Sequence, residues 1–251
     1  MAETTTEAKP RKLLPISQPI SVLPTDVARI YTHIHPILIL SLYYLCFPSL
    51  VADPVTTLKQ ALAPLAHLQI TYCVVCLPPS KGSSTSPSTS SATPKKKKVT
   101  FAKPIAKPPA SLKSRIIPAV FSLFLSLSLS APLLTVILIL FGAPLTTHFW
   151  HNLLCATHIS LLGVLPLFYV HGVDARMWRE ISGACLPFDE VWGGLVGSIL
   201  GAWLGAVPIP LDWDREWQKW PVTIVTGAYI GWFVFRYAGG YLLRGKRIEF
   251  D

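Results

Sequence analysis

The chain has 251 residues, of which 51% are hydrophobic and only 14% charged, and its mean hydropathy is +0.47. That balance lies outside the range of soluble globular domains and excludes a soluble enzyme. The net charge of +9 does not point to nucleic acid, because many of the lysines and arginines sit in short segments beside apolar runs, where they set membrane topology and meet anionic headgroups.

Residues 1–29 carry Lys9, Arg11 and Lys12 and a broken apolar pattern, without the compact apolar core and small-residue cleavage site of a signal peptide. The first spanning helix is therefore expected to stay uncleaved. From residue 30 onward, six apolar stretches approach the roughly 20 residues that a hydrocarbon core requires: 30–51, 61–77, 116–141, 152–170, 191–208 and 221–243. Between 116 and 173 there is no charged residue at all, so this run alone must cross a bilayer twice. The fold class that follows is all-α, a polytopic membrane protein with six transmembrane helices. Spans 1–2 occupy 30–77, and spans 3–6 occupy 116–243.

Residues 78–115 switch to Ser, Thr, Pro and Lys, including Lys95, Lys96, Lys97 and Lys98, a composition that cannot bury a core and reads as a disordered linker. Assigning the N-terminal segment, this linker, the connection before the fifth span and the tail 244–251 to one face gives that face 18 basic residues against two on the other. Excluding the linker leaves nine against two, so the positive-inside rule places both termini in the cytosol. The opposite face has only short connections, near 52–60, 142–151 and 209–220, none of them long enough to fold as a domain. The single Asn, Asn152, is followed by two leucines and forms no glycosylation sequon.

Several residue patterns need weighing. Gly193, Gly197, Gly201 and Gly205 recur every four residues along the fifth span, and Gly194, Ser198, Ala202 and Ala206 form a second small ridge beside them. A face with almost no side chains admits another backbone closely, whether from the same chain or from a partner subunit. Gly227 and Gly231 repeat the device in the sixth span, and Ser122, Ser126 and Ser130 do so in the third.

His148, His151, Cys155 and His158 fall on one helical face and offer zinc-type ligands. Ten residues of helix rise about 15 Å, however, too far for the two outer histidines to share an ion. Cys73 and Cys76 have CxxC spacing, but no second pair completes a zinc site, and packing at the end of an apolar helix is the simpler reading. The other cysteines, Cys46, Cys155 and Cys185, also lie in or beside apolar segments, which excludes a disulfide framework. Arg236 lies about 10 Å below the end of its helix, within snorkelling distance of the interface, with contact to a lipid phosphate as the functional alternative.

The connection at 208–221 is the densest polar and aromatic cluster outside the basic segments. Asp212 and Asp214 offer acid and base groups and Arg215 a phosphate clamp, while Trp213, Trp217 and Trp220 suit an interfacial aromatic belt.

At this connection the sequence GAWLGAVPIPLDWDREWQKWP, residues 201–221 with four Trp, closely resembles the signature of the PIG-F family of glycosylphosphatidylinositol (GPI) anchor biosynthesis. Supporting resemblance spans roughly 118–243, including HFWHNLL at 148–154, whereas the first 115 residues resemble the family only in having two spans. The resemblance implies a multi-pass protein of the endoplasmic reticulum membrane that is not itself an enzyme and has no cofactor or metal. It implies a stabilising subunit for the catalytic GPI ethanolamine phosphate transferase, which modifies mannose of the lipid-linked GPI precursor in the lumen. Its partners would be that transferase and membrane lipid, the GPI precursor included. On this reading Gly193, Gly197, Gly201, Gly205, Asp212, Trp213, Asp214, Arg215, Trp217 and Trp220 serve packing or partner binding, and no residue is catalytic. Two alternatives stand beside it: an enzyme acting on lipid headgroups through Asp212, Asp214 and Arg215 with His148 and His151, and a lipid transporter. Against transport, the sequence shows no repeated half and no acidic residue inside a span.

Overall fold

The computed structural model describes residues 17–80, 112–211 and 213–248. Among them, all regular structure is helical. The long helices are α1 (Asp26–Ala52), α2 (Pro54–Cys76), α3 (Leu112–Leu140) and α4 (Phe149–His171). A short α5 (Ala175–Ser182) follows, then α6 (Glu190–Gly205) and α7 (Val222–Tyr237), which ends in a π-turn at Ala238–Leu242.

Three of these helices, α1, α3 and α4, are long and apolar enough to cross a membrane, whereas six were expected. The other three fall short for local reasons. Helix α6 has only 16 helical residues, because Pro208 and Pro210 turn the chain after Gly205. Helix α2 is long enough at 23 residues, but it carries polar side chains along its outer face. Helix α7 contains Arg236.

Boundaries also move. The connection expected at 52–60 shrinks to Asp53, whose carboxylate accepts the Thr56 N–H (3.2 Å) as an N-cap while Pro54 occupies the first helical turn. Donation from Thr56 holds the Asp53 carboxyl below the usual carboxylate range. Helix α3 starts at Leu112, inside the expected linker, and residues 81–111 of that linker, with its lysine tract, lie outside the described residues. Amphipathic α5, which buries Ile181 while Arg179 stays outside, was not anticipated.

Successive long helices run in alternating directions. At one end of the bundle, the Leu23 N–H donates to the Cys76 carbonyl (2.8 Å) and the Ser80 N–H to that of Tyr169 (2.8 Å), joining the start of α1 to the ends of α2 and α4. Buried Asp189 organises the same end. Its carboxylate caps α6 by accepting the N–H groups of Val191 and Trp192 (2.9 and 2.8 Å) and also accepts the Ile20 N–H (2.8 Å). Burial raises its carboxyl above the usual range, against those three donors. Arg244 and Arg247 of the tail donate to Ile20, Ser21 and Ser17, so both flanks of the chain are bound to this end.

Helix α4 is central: 94% of its most apolar stretch is buried, against 22% for α1 and α3. π-turns interrupt α3 at Ser126–Ser130 and α4 at Ser160–Val164, and the two meet. There Ser160 donates to the Ser126 carbonyl (2.9 Å) and its hydroxyl touches that of Ser130. π-turns free backbone carbonyls, and these hydroxyls use them.

Candidate functional site

Helices α6 and α7 lie backbone against backbone. A Cβ on Gly193, Gly197, Gly201 or Gly205 would come closer than 3.0 Å to the carbonyl of Phe235, Gly231, Gly227 or Thr223 respectively. The contact is reciprocal, since a Cβ on Gly227 or Gly231 would strike the carbonyl of Gly201 or Gly197. Each stripe of small residues is therefore the mate of the other, and at this approach van der Waals contact and Cα–H···O contacts hold the pair. The face is occupied by the chain's own helix. Beside the seam, near Trp217, runs an apolar groove of about 450 Å³ that also borders Phe47 of α1.

At the end of the seam nearest Asp189 is a buried polar cluster. Arg236, 3% exposed, does not snorkel but turns inward. Its guanidinium donates to the Glu190 carboxylate (3.2 Å) and to the Thr32 hydroxyl and carbonyl (3.0 and 3.2 Å), and its Cζ lies 4.0 Å from the centre of the Tyr72 ring. The same carboxylate accepts from the hydroxyls of Thr32 (2.8 Å) and Tyr72 (3.2 Å). The guanidinium also meets His35 Nδ1 (3.0 Å). A guanidinium only donates, so His35 is neutral and carries its proton on Nε2, which has no partner among the described residues. The cluster joins α1, α2, α6 and α7. Glu190 falls one residue before the expected fifth span at 191–208, and its carboxylate points into the bundle.

His158 is also consumed internally. Its Nε2 lies 3.0 Å from the Leu58 carbonyl, which fixes the proton there, and its Nδ1 is left to accept from the Tyr229 hydroxyl (2.8 Å). His148 and His151 pair with ring centroids 4.9 Å apart at the other end of the bundle, and Cys155 is buried. The four do not converge, and among the described residues no three His, Cys, Asp or Glu side chains are placed to hold a metal. Cys73 and Cys76 are buried, with the Cys76 thiol 3.5 Å from the Ala28 carbonyl.

The connection 206–221 folds around Gln218. Its amide nitrogen donates to the carbonyls of Pro208 and Leu211 (2.8 Å each), and its oxygen accepts the Arg215 N–H (2.9 Å). Glu216 pairs with Lys219, Trp213 packs edge-on to Trp217 (5.8 Å), and Asp214 adopts a positive φ of 47°. Trp213, Asp214 and Arg215 face outward, while Asp212 lies outside the described residues. Trp220 faces inward: its indole donates to Asn152 (2.7 Å), which is fully buried and donates to the Pro144 carbonyl (2.7 Å). This chain of bonds fastens the α6–α7 connection to the α3–α4 connection. In the sequence Asn152 stands out as the single Asn and as part of the HFWHNLL segment, and no local signal marks its role as a tie.

A helical membrane protein with interlocked glycine helices and a short, aromatic connection is the class these observations define. Residues 34–240 match the family described as GPI biosynthesis protein family Pig-F, and the chain belongs to that family. It is 43% identical to glycosylphosphatidylinositol anchor biosynthesis protein 11 of Aspergillus fumigatus, over 99% of this chain and 92% of the relative. It is 45% identical to the protein of the same name from Neurospora crassa, over 92% of this chain and 81% of the relative. A PIGF/3-ketodihydrosphingosine reductase fusion protein of Schizosaccharomyces pombe is 40% identical over 43% of this chain and 22% of its own length. No solved structure matches.

Proposed function

We propose that this chain is the non-catalytic subunit of the GPI ethanolamine phosphate transferase complex of the endoplasmic reticulum, where it stabilises the catalytic subunit that modifies mannose of the GPI precursor. In this reading it crosses the membrane six times through α1, α2, α3, α4, α6 and α7, with both termini cytosolic and the 206–221 connection in the lumen. The alternating helix directions support that arrangement. They gather the Asp189 end and the tail, with Arg244 and Arg247, on one side and the aromatic connection on the other.

One observation carries the non-catalytic reading. The buried charged and imidazole groups at the centre of the bundle are bonded within it: Arg236 pairs with Glu190, and His158 is held between the Tyr229 hydroxyl and the Leu58 carbonyl. The 206–221 connection is likewise tied by Gln218 and Trp220, and it is too short to hold a catalytic domain. A protein built this way offers surfaces rather than a reaction centre.

The test is an assay of the purified chain in lipid vesicles with an ethanolamine-phosphate donor lipid and a mannosylated GPI acceptor. No transfer is expected until the catalytic subunit is added. Turnover by the chain alone would overturn the reading.

A further inference from the structure

Helix α2 differs from the other helices at the surface of the bundle in what it shows outward. Helices α1 and α3 expose large apolar residues such as Ile30, Ile37, Phe124 and Val136, and α6 and α7 expose Trp203 and Ile230, as a lipid-facing surface should. Along α2 no large hydrophobic residue is exposed. Its exposed positions are Thr56, Lys59, Gln60, Ala63, Pro64 and His67, a stripe with helical spacing on one face.

Depth decides what this means. At 1.5 Å per residue, His67 lies about 20 Å from the start of α2 and about 14 Å from its end, beyond the reach of an imidazole snorkelling to either interface. Lys59 and Gln60, within about 9 Å of the start, can reach it. Pro64 adds a second polar feature to the same face, since it has no N–H to give to the Gln60 carbonyl. Among the described residues, the His67 imidazole has no hydrogen-bond partner, and the Thr71 hydroxyl donates to the His67 backbone carbonyl (2.8 Å). In the six-span arrangement proposed above, an imidazole and an unpaired carbonyl facing hydrocarbon at this depth are costly, and polar groups at mid-span mark helix–helix contacts.

We infer that the stripe of α2 centred on Ala63 and His67 is the seat of a transmembrane helix of the catalytic transferase subunit. That helix presents a hydroxyl or amide to this face, a group able both to donate and to accept, as the His67 imidazole and the Gln60 carbonyl on the same stripe require. Ala63, the small residue in mid-stripe, lets its backbone approach. The assignment rests on the subunit reading above and names the face that reading requires.

The experiment uses the full chain in native membranes with a tagged transferase. A photo-crosslinking residue is placed at Ala63 or His67, and at Val136 on the exposed face of α3 as control. A discrete adduct containing the transferase is expected from 63 and 67 and none from 136. In parallel, His67→Leu should lower co-purified transferase at least several-fold without changing the chain's own abundance, and His67→Gln should restore much of it. Adducts from 63 and 67 with lipid, with a second copy or with residues 81–111, while the transferase still co-purifies, would overturn this inference and leave the subunit reading intact. If no transferase co-purifies with the wild-type chain, both fall.

Discussion

Gly201 of α6 and Gly227 of α7 pass so closely that a Cβ on either would sit against the other's carbonyl. A hydrogen at Cα is the largest group the crossing admits. The seam is thus specified by the absence of side chains, and the two helices form one unit against which α1 and α4 pack.

Gly201→Leu should force α6 and α7 apart. Overpacking in a filled interior typically costs about 1–3 kcal/mol, and here the obstacle is backbone, which has no rotamer to change. The expected result is reduced steady-state abundance and a lower melting temperature in detergent. Leu200→Ala, one residue away on an exposed position, should stay within about 0.5 kcal/mol of wild type. Equal behaviour of the two variants would show that the seam does not hold the pair.

The Arg236–Glu190 pair makes a second prediction. Removing one member of a buried pair typically costs about 3–5 kcal/mol, because the other charge is left behind. Arg236→Leu strands the Glu190 carboxylate with only Thr32 and Tyr72, so that variant should be severely depleted from membranes. The double variant Arg236→Leu/Glu190→Leu should be recovered better than Arg236→Leu alone. A double-mutant cycle with no coupling would refute the pairing.

Trp220→Phe removes the donor to the Asn152 oxygen and keeps an aromatic, though smaller, ring, while Asn152→Leu strands both the indole N–H and the Pro144 carbonyl. A buried group left unsatisfied costs about 1–3 kcal/mol, so Asn152→Leu should lower the melting temperature more than Trp220→Phe. The reverse order would mean that the tie between the two connections is not what stabilises this end.

How much of this could be read from the sequence depended on the range of the interaction. The charge-free run 116–173 foretells α3 and α4, because crossing a bilayer is a property of local composition. The glycine stripes foretell close packing but not which backbone fills them, since spacing describes one helix and the mate lies 26 residues away in Gly227. Glu190 and Arg236 lie 46 positions apart, and reading each helix alone sent Arg236 to the interface instead of into the bundle. The Asp53-Pro54 pair carries a helix-start signal that hydropathy masks: the polar residues Thr56, Lys59 and Gln60 look like a loop until the cap is recognised. The π-turns leave no trace in an apolar pattern.

The membrane orientation is checked by engineered glycosylation acceptors. One placed in 81–111 should stay unmodified in cells, and one placed in 213–219 should be modified if its distance from the membrane permits. Modification in 81–111 would invert the arrangement.

The proposed subunit role requires that the chain sustain another protein's activity. The most direct measurement is the steady-state level of the catalytic transferase in cells that carry Arg215→Ala or lack the chain altogether. Binding that stabilises a folded partner is lost in such cells, and degradation removes the excess. Transferase level should fall in step with GPI output, and over-expressing the transferase should partly restore both. Normal transferase level and assembly, with ethanolamine-phosphate transfer abolished, would overturn the subunit role and assign the chemistry to this chain.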